Sequence, residues 1–427
     1  MPIVDHPLRY TLNNELHARP FPSLAAPGQA VYIAFKEPSQ AAKRDRELDR
    51  AHLIALLDRF GAQHPTPGAT HYFGDLGKFR LKWEQHTEFV TYTAFIDNGL
   101  ERPFDPTAWE VFPDDWLSEA PGARITSAHL TYRPAPEDDA EIEPMIHDWF
   151  VPESLAASRV LDDTGVIAGD FRIDSSGHLR FAVFTRPDTG HRRLGRIVQR
   201  ICEIETYKTM SMLGLPRART LSGDLGRIDE QLSRLVSDMT GDLSRPDETL
   251  TQLLGIASEL EKLQTDNAFR FGATGAYDAI VTQRVQVLRE ERFRGRQTFA
   301  EFMMRRFDPA MRTVTSTEDR LETMTTRAIR AGDLLRTRVD VDRSAQNQDL
   351  LASMDRRSDM ALRLQKTVEG LSVVAISYYA VSLVVYLIGP LAAPLGLSET
   401  GLTAIVVLPV VAVVWGIVRS IRRSVEK

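Results

Sequence analysis

The spacing of apolar residues in the first part of the chain is mostly that of β-strands. Apolar and β-branched residues alternate or cluster in short runs that proline, glycine and aspartate interrupt, which is typical of strands. One stretch, residues 40–60, instead has helical periodicity and ends at Gly61. The sequence therefore predicts an α/β domain over residues 1–187. The runs predicted as strands are residues 30–35, 78–85, 87–95, 123–132 and 178–184.

Helical periodicity dominates after this domain. Residues 188–308 predict a helical domain that ends where Asp308 and Pro309 break the pattern. Residues 309–369 then predict a long stalk helix, because no proline occurs from 310 to 368. Its apolar residues recur every seven positions, which favours packing against other helices, in a coiled-coil oligomer or on neighbours within the chain. The recurring positions are Val314, Leu321, Ala328 and Leu335, with Thr317, Met324 and Ala331 between them.

Two uncharged apolar segments follow the stalk. Residues 370–390 and 401–418 each approach the roughly 20 residues that a helix needs to cross a bilayer. Lysine and arginine flank the pair on its outer sides, whereas the connecting loop has neither. The positive-inside bias then predicts that both termini, including the basic tail 419–427, are cytoplasmic. The predicted fold class is an α+β/α membrane protein: a cytoplasmic α/β domain, a helical region with a stalk, and a two-helix transmembrane hairpin in the lipid bilayer.

Charge and composition narrow the functional classes. With 52 basic and 58 acidic residues, the formal charge is -6, so the chain lacks the positive field that nucleic acids require. Cys202 is the only cysteine, which excludes an intramolecular disulfide and a cysteine-based metal cage. No Walker, dinucleotide-binding, zinc-protease or serine-hydrolase motif occurs. We therefore predict no enzymatic activity and no catalytic residue.

Polar residues near Trp83 form a candidate site for a divalent cation, the one cofactor that the sequence suggests. Glu84, His86 and Glu88 alternate, so a continuous strand would place all three on one face. His17 from the N-terminal segment could complete the site. The alternative is a solvated strand face, or a polar network that holds the N-terminus in place. Further polar residues available for that network are Asn13, Asn14, Glu15 and Arg19.

A second polar stripe is predicted on the first long helix after the α/β domain. Its four residues are spaced at i, i+4, i+7 and i+11, so they share one helix face and favour ion pairs. We interpret this stripe as structural, docking the helix onto the α/β domain. The residues are Arg196, Arg200, Glu203 and Tyr207.

Four long phrases distinguish the chain: LNNELHARPF at 12–21, LKWEQHTEFVTYT at 81–93, RRLGRIVQRICEIETYKTMSMLGLPRAR at 192–219 and TVEGLSVVAISYY at 367–379. Together they resemble a bacterial family of uncharacterised membrane-anchored proteins, a domain of unknown function. This resemblance implies a place in the bacterial inner membrane and no particular reaction. The layout is also similar to that of the CorA-type and ZntB-type metal-ion transporters. This similarity implies a homo-oligomer, with a pentamer as the favoured assembly. Their Gly-Met-Asn motif is absent, because residues 386–390 read Tyr-Leu-Ile-Gly-Pro.

Small and polar residues form one stripe along the first predicted span. In lipid such a stripe faces protein or water, so these residues are candidates to line a pore, with Glu369 as an acidic ring at its cytoplasmic mouth. A contact inside one hairpin is the alternative. The stripe consists of Ser372, Ala375, Tyr379, Ser382, Tyr386 and Gly389.

Two functions of different class follow from these features. The first is a CorA-like homo-oligomeric cation channel or transporter with a cytoplasmic regulatory domain. The second is a membrane-anchored cytoplasmic scaffold or sensor without transport activity. A membrane-bound hydrolase that uses the His/Glu cluster is a remote third.

Overall fold

The chain divides into two compact units. One consists of residues 1–243 and 251–331, and the other of residues 244–250 and 332–427. The computed structural model describes residues 3–15, 21–39, 44–97, 102–239, 246–391 and 398–425.

A nine-stranded sheet is the main element of the first unit. Its spatial order is β2-β3-β4-β1-β5-β8-β7-β6-β9, and all neighbours are antiparallel except β5 and β8. The strands are β1 Gly28–Lys36, β2 His71–Asp75, β3 Arg80–Gln85, β4 Phe89–Asp97, β5 Ala123–Pro134, β6 Ala156–Val160, β7 Gly165–Ile173, β8 Leu179–Thr185 and β9 Glu291–Arg292.

The described residues contain ten α-helices. They are α1 Arg9–Glu15, α2 Arg46–Arg59, α3 Asp114–Ser118, α4 Ile142–Trp149, α5 His191–Met212, α6 Gly214–Asp238, α7 Pro246–Val287, α8 Phe299–Arg306, α9 Asp308–Ile388 and α10 Glu399–Val425.

Side chains alternate along the strands and give the sheet two different faces. On one face, Val31, Leu81 and Tyr92 pack with Leu53 of α2 and Trp116 of α3. We call this the α2 face. It is closed by apolar and aromatic contacts.

The opposite side of the same strands, which we call the α5 face, packs against a long helix. Tyr32 and Ala34 of β1 share a buried cluster with Ile197 and Ile201 of α5 and with Phe299 of α8. Helices α5 and α8 therefore share a core with the sheet and belong to the same compact unit.

The five runs predicted as strands correspond to β1, β3, β4, β5 and β8, which confirms a mixed α/β N-terminal part. β2, β6, β7 and the two-residue β9 are absent from the prediction. β7 reads GVIAGDFRI, and local rules assign its glycines and aspartate to turns although tertiary pairing holds it in the sheet.

The long helix α9 uses its seven-residue repeat within the chain. Val314 and Leu321 are each 2% exposed. The hydroxyl of Thr317 lies 3.4 Å from that of Ser222 on α6, so this face packs on a neighbouring helix of the same chain. These residues of the repeat are therefore buried within the chain. The intramolecular alternative holds, because α6 and α9 lie side by side in the first unit.

The second unit contains the C-terminal part of α9, which is continuous with the predicted stalk, and α10. Both helices contain a segment long and apolar enough to cross a membrane, in α10 over Thr400–Ile421. The guanidinium of Arg419 lies 4.9 Å from the ring centre of Trp415. These segments agree in length and composition with the spans predicted at 370–390 and 401–418.

Candidate functional site

The residues predicted to bind a divalent cation do not lie on one strand. β3 ends at Gln85 and β4 begins at Phe89, so His86 and Glu88 fall in the turn between them. The amide of His86 donates to the carbonyl of Phe89 at 2.9 Å, which closes this turn. The prediction that one continuous strand carries Glu84, His86 and Glu88 is therefore wrong.

Glu88 is fully buried and faces α7 instead. Its carboxylate accepts hydrogen bonds from Arg270 and from the hydroxyl of Tyr277 at 3.0 Å, and Lys36 lies 4.0 Å away. A buried carboxylate needs such partners, because an unpaired charge is costly to remove from water. This network fixes the β3–β4 turn against α7.

The structure describes only part of the other proposed members of this cluster. Within the described residues, no group of three histidine, cysteine or acidic side chains is placed to hold a metal ion. Asn13 lies exposed on α1. His17 and Arg19, together with the side chains of Asn14 and Glu15, lie outside the part of the chain that the structure describes.

A cavity of about 200 Å³ lies between the α5 face of the sheet and helix α5. Strands β1, β3 and β4 form one wall, and helices α5 and α7 contribute to the other. The residues around it are Phe21, Tyr32, Lys82, Glu84, His86, Phe89, Thr91, Thr93, Phe95, Gln199, Cys202, Glu203, Thr206, Tyr207 and Arg284.

A chain of polar contacts runs along this cavity. The ammonium of Lys82 lies 3.1 Å from the carboxylate of Glu84 and donates to the Gln199 side chain at 2.8 Å. The amide of Gln199 in turn donates to Glu203 at 2.7 Å. Arg284 of α7 donates to the same carboxylate. Residues far apart in sequence thus form one charge-balanced network beside open space.

The inner end of the cavity is lined by neutral groups. Tyr32 shares a hydrogen bond with Thr206, whose hydroxyl also lies 2.8 Å from the carbonyl of Cys202. Burial raises the pKa of the Cys202 thiol and that of the Tyr32 hydroxyl well above their usual ranges. Cys202 is therefore a neutral wall group and a poor nucleophile at neutral pH.

The predicted stripe on α5 divides between the cavity and its surroundings. Glu203 and Tyr207 line the cavity, and the ring of Tyr207 stacks on Tyr277 of α7 with centroids 5.6 Å apart. Arg200 donates to the carbonyl of Val287 at 3.4 Å, and burial lowers the pKa of its guanidinium. Arg196 is half-buried on the same helix.

Sequence reasoning missed Lys82, Gln199 and Arg284 as members of the site. One signal was present, because Lys82 and Glu84 alternate with the apolar residues of a predicted strand. Gln199 lies 117 residues from Lys82 in sequence, and no local pattern connects them.

The candidate pore residues lie on a largely uncovered face of α9. Tyr379 is 68% and Tyr386 85% exposed, whereas Ser377 is 6% exposed on another face. Val418 of α10 lines a groove with Ser372 and Val373 of α9. The ring of Tyr379 lies edge to face with that of Tyr378, at 5.8 Å between centroids, and most of the surface of Tyr379 and Tyr386 is left uncovered within the chain. Glu369 borders the groove, Ser372 and Ala375 are exposed, and Ser382 and Gly389 are half-buried.

Fold and site together define a mixed α/β protein with a polar cavity beside its sheet and two long helices that each contain an apolar segment. The profile of one protein family, described as a protein of unknown function (DUF3422), matches residues 4–425. The chain belongs to this family, which confirms the predicted resemblance to a domain of unknown function. No curated protein matches the chain. The likeness to CorA-type and ZntB-type transporters has no support from these comparisons.

Proposed function

We propose that this protein is a membrane-anchored sensor that binds a small polar molecule in the cavity between the sheet and α5. The observation that supports this proposal most is the polar network from Lys82 to Arg284 beside about 200 Å³ of open space. Protein interiors are otherwise closely packed, and binding sites are concave places where a few polar groups converge. No reaction is part of the proposal.

The two apolar helices supply the anchor. The end of α9 and α10 suit a bilayer in length and composition, and lysine and arginine flank them on the outer sides only. We place the protein in the bacterial inner membrane, as a multi-pass protein with both termini in the cytoplasm. In a Cys202→Ser background, a cysteine introduced by Ser398→Cys should react with an impermeant reagent added to intact cells. Reaction of Ser424→Cys instead would reverse this topology.

The single cysteine provides a direct test of ligand binding. Cys202 lines the cavity, is 4% exposed and has a neutral thiol in the folded chain, so its slow alkylation by N-ethylmaleimide reports local opening at the cavity. A dialysable metabolite extract should slow this labelling in the purified full chain. Thr93→Phe, which fills the cavity, should abolish the effect of the extract. Thr220→Phe on the exposed side of α6 adds the same ring elsewhere and is the matched control. Equal labelling with and without extract would contradict the sensor.

A second candidate is the CorA-like homo-oligomeric cation channel, with a pentamer as the expected assembly. The exposed face of Tyr379 and Tyr386, away from buried Ser377, favours it, because such residues in lipid favour contact with another protein surface. Glu369 would form an acidic ring in that assembly. Tyr379→Ala should then raise cation leak in liposomes and Glu369→Gln should reduce cation preference, while Leu383→Ala serves as control. Flux unchanged by both variants would exclude this function.

A further inference from the structure

Among the lysine, arginine and acidic side chains that line the cavity, the charges are balanced before any ligand enters. Lys82 and Arg284 provide two positive charges, and Glu84 and Glu203 provide two negative ones. Each cation contacts one of these anions, Lys82 at 3.1 Å from Glu84 and Arg284 through its hydrogen bond to Glu203. A ligand with a net charge would be attracted by one member of each ion pair and repelled by the other member. An uncharged ligand avoids that repulsion.

The same network can still form further hydrogen bonds. An ammonium carries three donors, and a carboxylate accepts about four hydrogen bonds. Lys82 contacts Glu84 and the Gln199 side chain, so its ammonium and the carboxylate retain capacity toward the open space. A hydroxyl group both donates and accepts, so it can bridge Lys82 and Glu84 as a water molecule does. A ligand with several hydroxyls could form such bridging hydrogen bonds at several points along the network.

The remaining walls suit the carbon skeleton of such a ligand. Thr91 and Thr93 of β4 present small polar side chains, 4% and 7% exposed. Phe89 and Phe95 on the same strand add apolar surface. The volume corresponds to about seven water molecules at their liquid density. This is room for a single ring with its hydroxyls.

We propose that the cavity binds an uncharged polyhydroxy compound of about the size of one sugar ring. The inference rests on the proposed sensor function and specifies its ligand class.

The experiment measures the rate of Cys202 alkylation in the purified full chain with probes that differ in charge. Glucose, galactose, mannose, ribose and myo-inositol are the neutral probes, glucuronate is the anionic match of glucose, and glucosamine is the cationic match. Alanine and serine represent zwitterions. At least one neutral probe should slow labelling threefold or more at millimolar concentration. The charged and zwitterionic probes should leave the rate within twofold of the ligand-free value.

Two variants test the charge balance itself. Glu84→Gln leaves the cavity with one excess positive charge, so glucuronate should now slow labelling more than glucose. Lys82→Gln leaves one excess negative charge, so glucosamine should be the better probe. Arg59→Gln removes a charge from the ion pair with Asp115, away from the cavity lining, and should keep the original order.

The outcomes separate the ligand class from the sensor function. Protection by glucuronate, glucosamine or an amino acid in the unchanged protein, without protection by any neutral probe, overturns the polyhydroxy class. Protection by the metabolite extract but by none of the neutral probes also overturns that class, while the sensor stands. No protection by extract or probes overturns both. Protection by a neutral probe with unchanged selectivity in both variants overturns the charge-balance argument.

Discussion

The two faces of strands β1, β3 and β4 are covered by different kinds of side chain. On β3, Leu81 points to the α2 face and Lys82 to the cavity; on β4, Tyr92 and Thr93 make the same division. The α2 face is filled mainly by rings and aliphatic chains, whereas the α5 face carries, beside its apolar cluster, charges and hydroxyls around open space. Polar groups are expensive to bury, so their concentration on one face indicates a use beyond packing.

The largest expected effect is on the closed α2 face. Trp116 is fully buried, its ring stacks on His52 with centroids 4.0 Å apart, and its indole donates to the His52 carbonyl at 2.9 Å. Trp116→Ala should lower the free energy of unfolding by about 3–5 kcal/mol, because it leaves a cavity that the rigid surroundings cannot fill. Urea unfolding of the full chain would measure this. A loss below about 1 kcal/mol would show that the α2 face is not closely packed.

Much of this contrast could be predicted from the sequence, because alternation in strands is a local property. The run at 87–95 shows both its apolar and its threonine positions. The predicted runs 78–85 and 87–95 already separate at His86, which agrees with the observed turn and not with the continuous strand that the cation site required. The partners of Glu88 on α7 lie 182 and 189 residues away, beyond any local rule.

The next largest effect on stability distinguishes the buried ion pair at Glu88 from the solvent-accessible ion pair at Glu203. Arg270 pairs with Glu88, whose side chain is 1% exposed, whereas Arg284 pairs with Glu203, which is 20% exposed at the cavity. Arg270→Met should cost about 3 kcal/mol of unfolding free energy, because it leaves a buried carboxylate without its main partner. Arg284→Met should cost about 1 kcal/mol, since solvent reaches Glu203. Equal losses in chemical denaturation would mean that both networks are equally closed.

The α2 face should also make the free energy of unfolding depend on pH, by a similar or smaller amount. Burial lowers the pKa of His52 to about 4, and its ring lies 2.9 Å from both the Tyr92 hydroxyl and the Trp116 carbonyl. An unfolded chain binds the proton near pH 6.5, so stability from the neutral ring is complete above that pH and declines as pH falls toward about 4. We expect His52 to account for a loss of about 2–3 kcal/mol between pH 7.5 and 4.5.

The control for this pH effect is a pair of histidine variants. His52→Gln should unfold more easily at pH 7.5 but lose less stability on acidification than the unchanged protein. His64→Gln alters an exposed histidine, so its pH dependence should match that of the unchanged protein. Identical acid sensitivity in His52→Gln and the unchanged protein would assign the effect to other groups, of which His129, with a pKa of about 4 caused mainly by burial, is the first to test.

The smallest effect is expected where the two faces meet on consecutive residues. Tyr92→Phe removes a hydroxyl that holds buried His52 at 2.9 Å, so it should cost about 1–2 kcal/mol through the unsatisfied ring nitrogen. Thr93→Val keeps the shape of its side chain and removes a hydroxyl beside the cavity, where water can rearrange, so its cost in unfolding free energy should stay below about 1 kcal/mol.

The effect of these two variants on ligand protection should follow the opposite order. Thr93→Val should weaken protection of Cys202 by a neutral polyhydroxy probe several-fold, because the lost hydroxyl lies on the cavity wall, while Tyr92→Phe should leave protection unchanged. If Thr93→Val instead destabilised the chain more than Tyr92→Phe and left protection intact, its hydroxyl would be a packing group, and the α5 face would have no special role in binding.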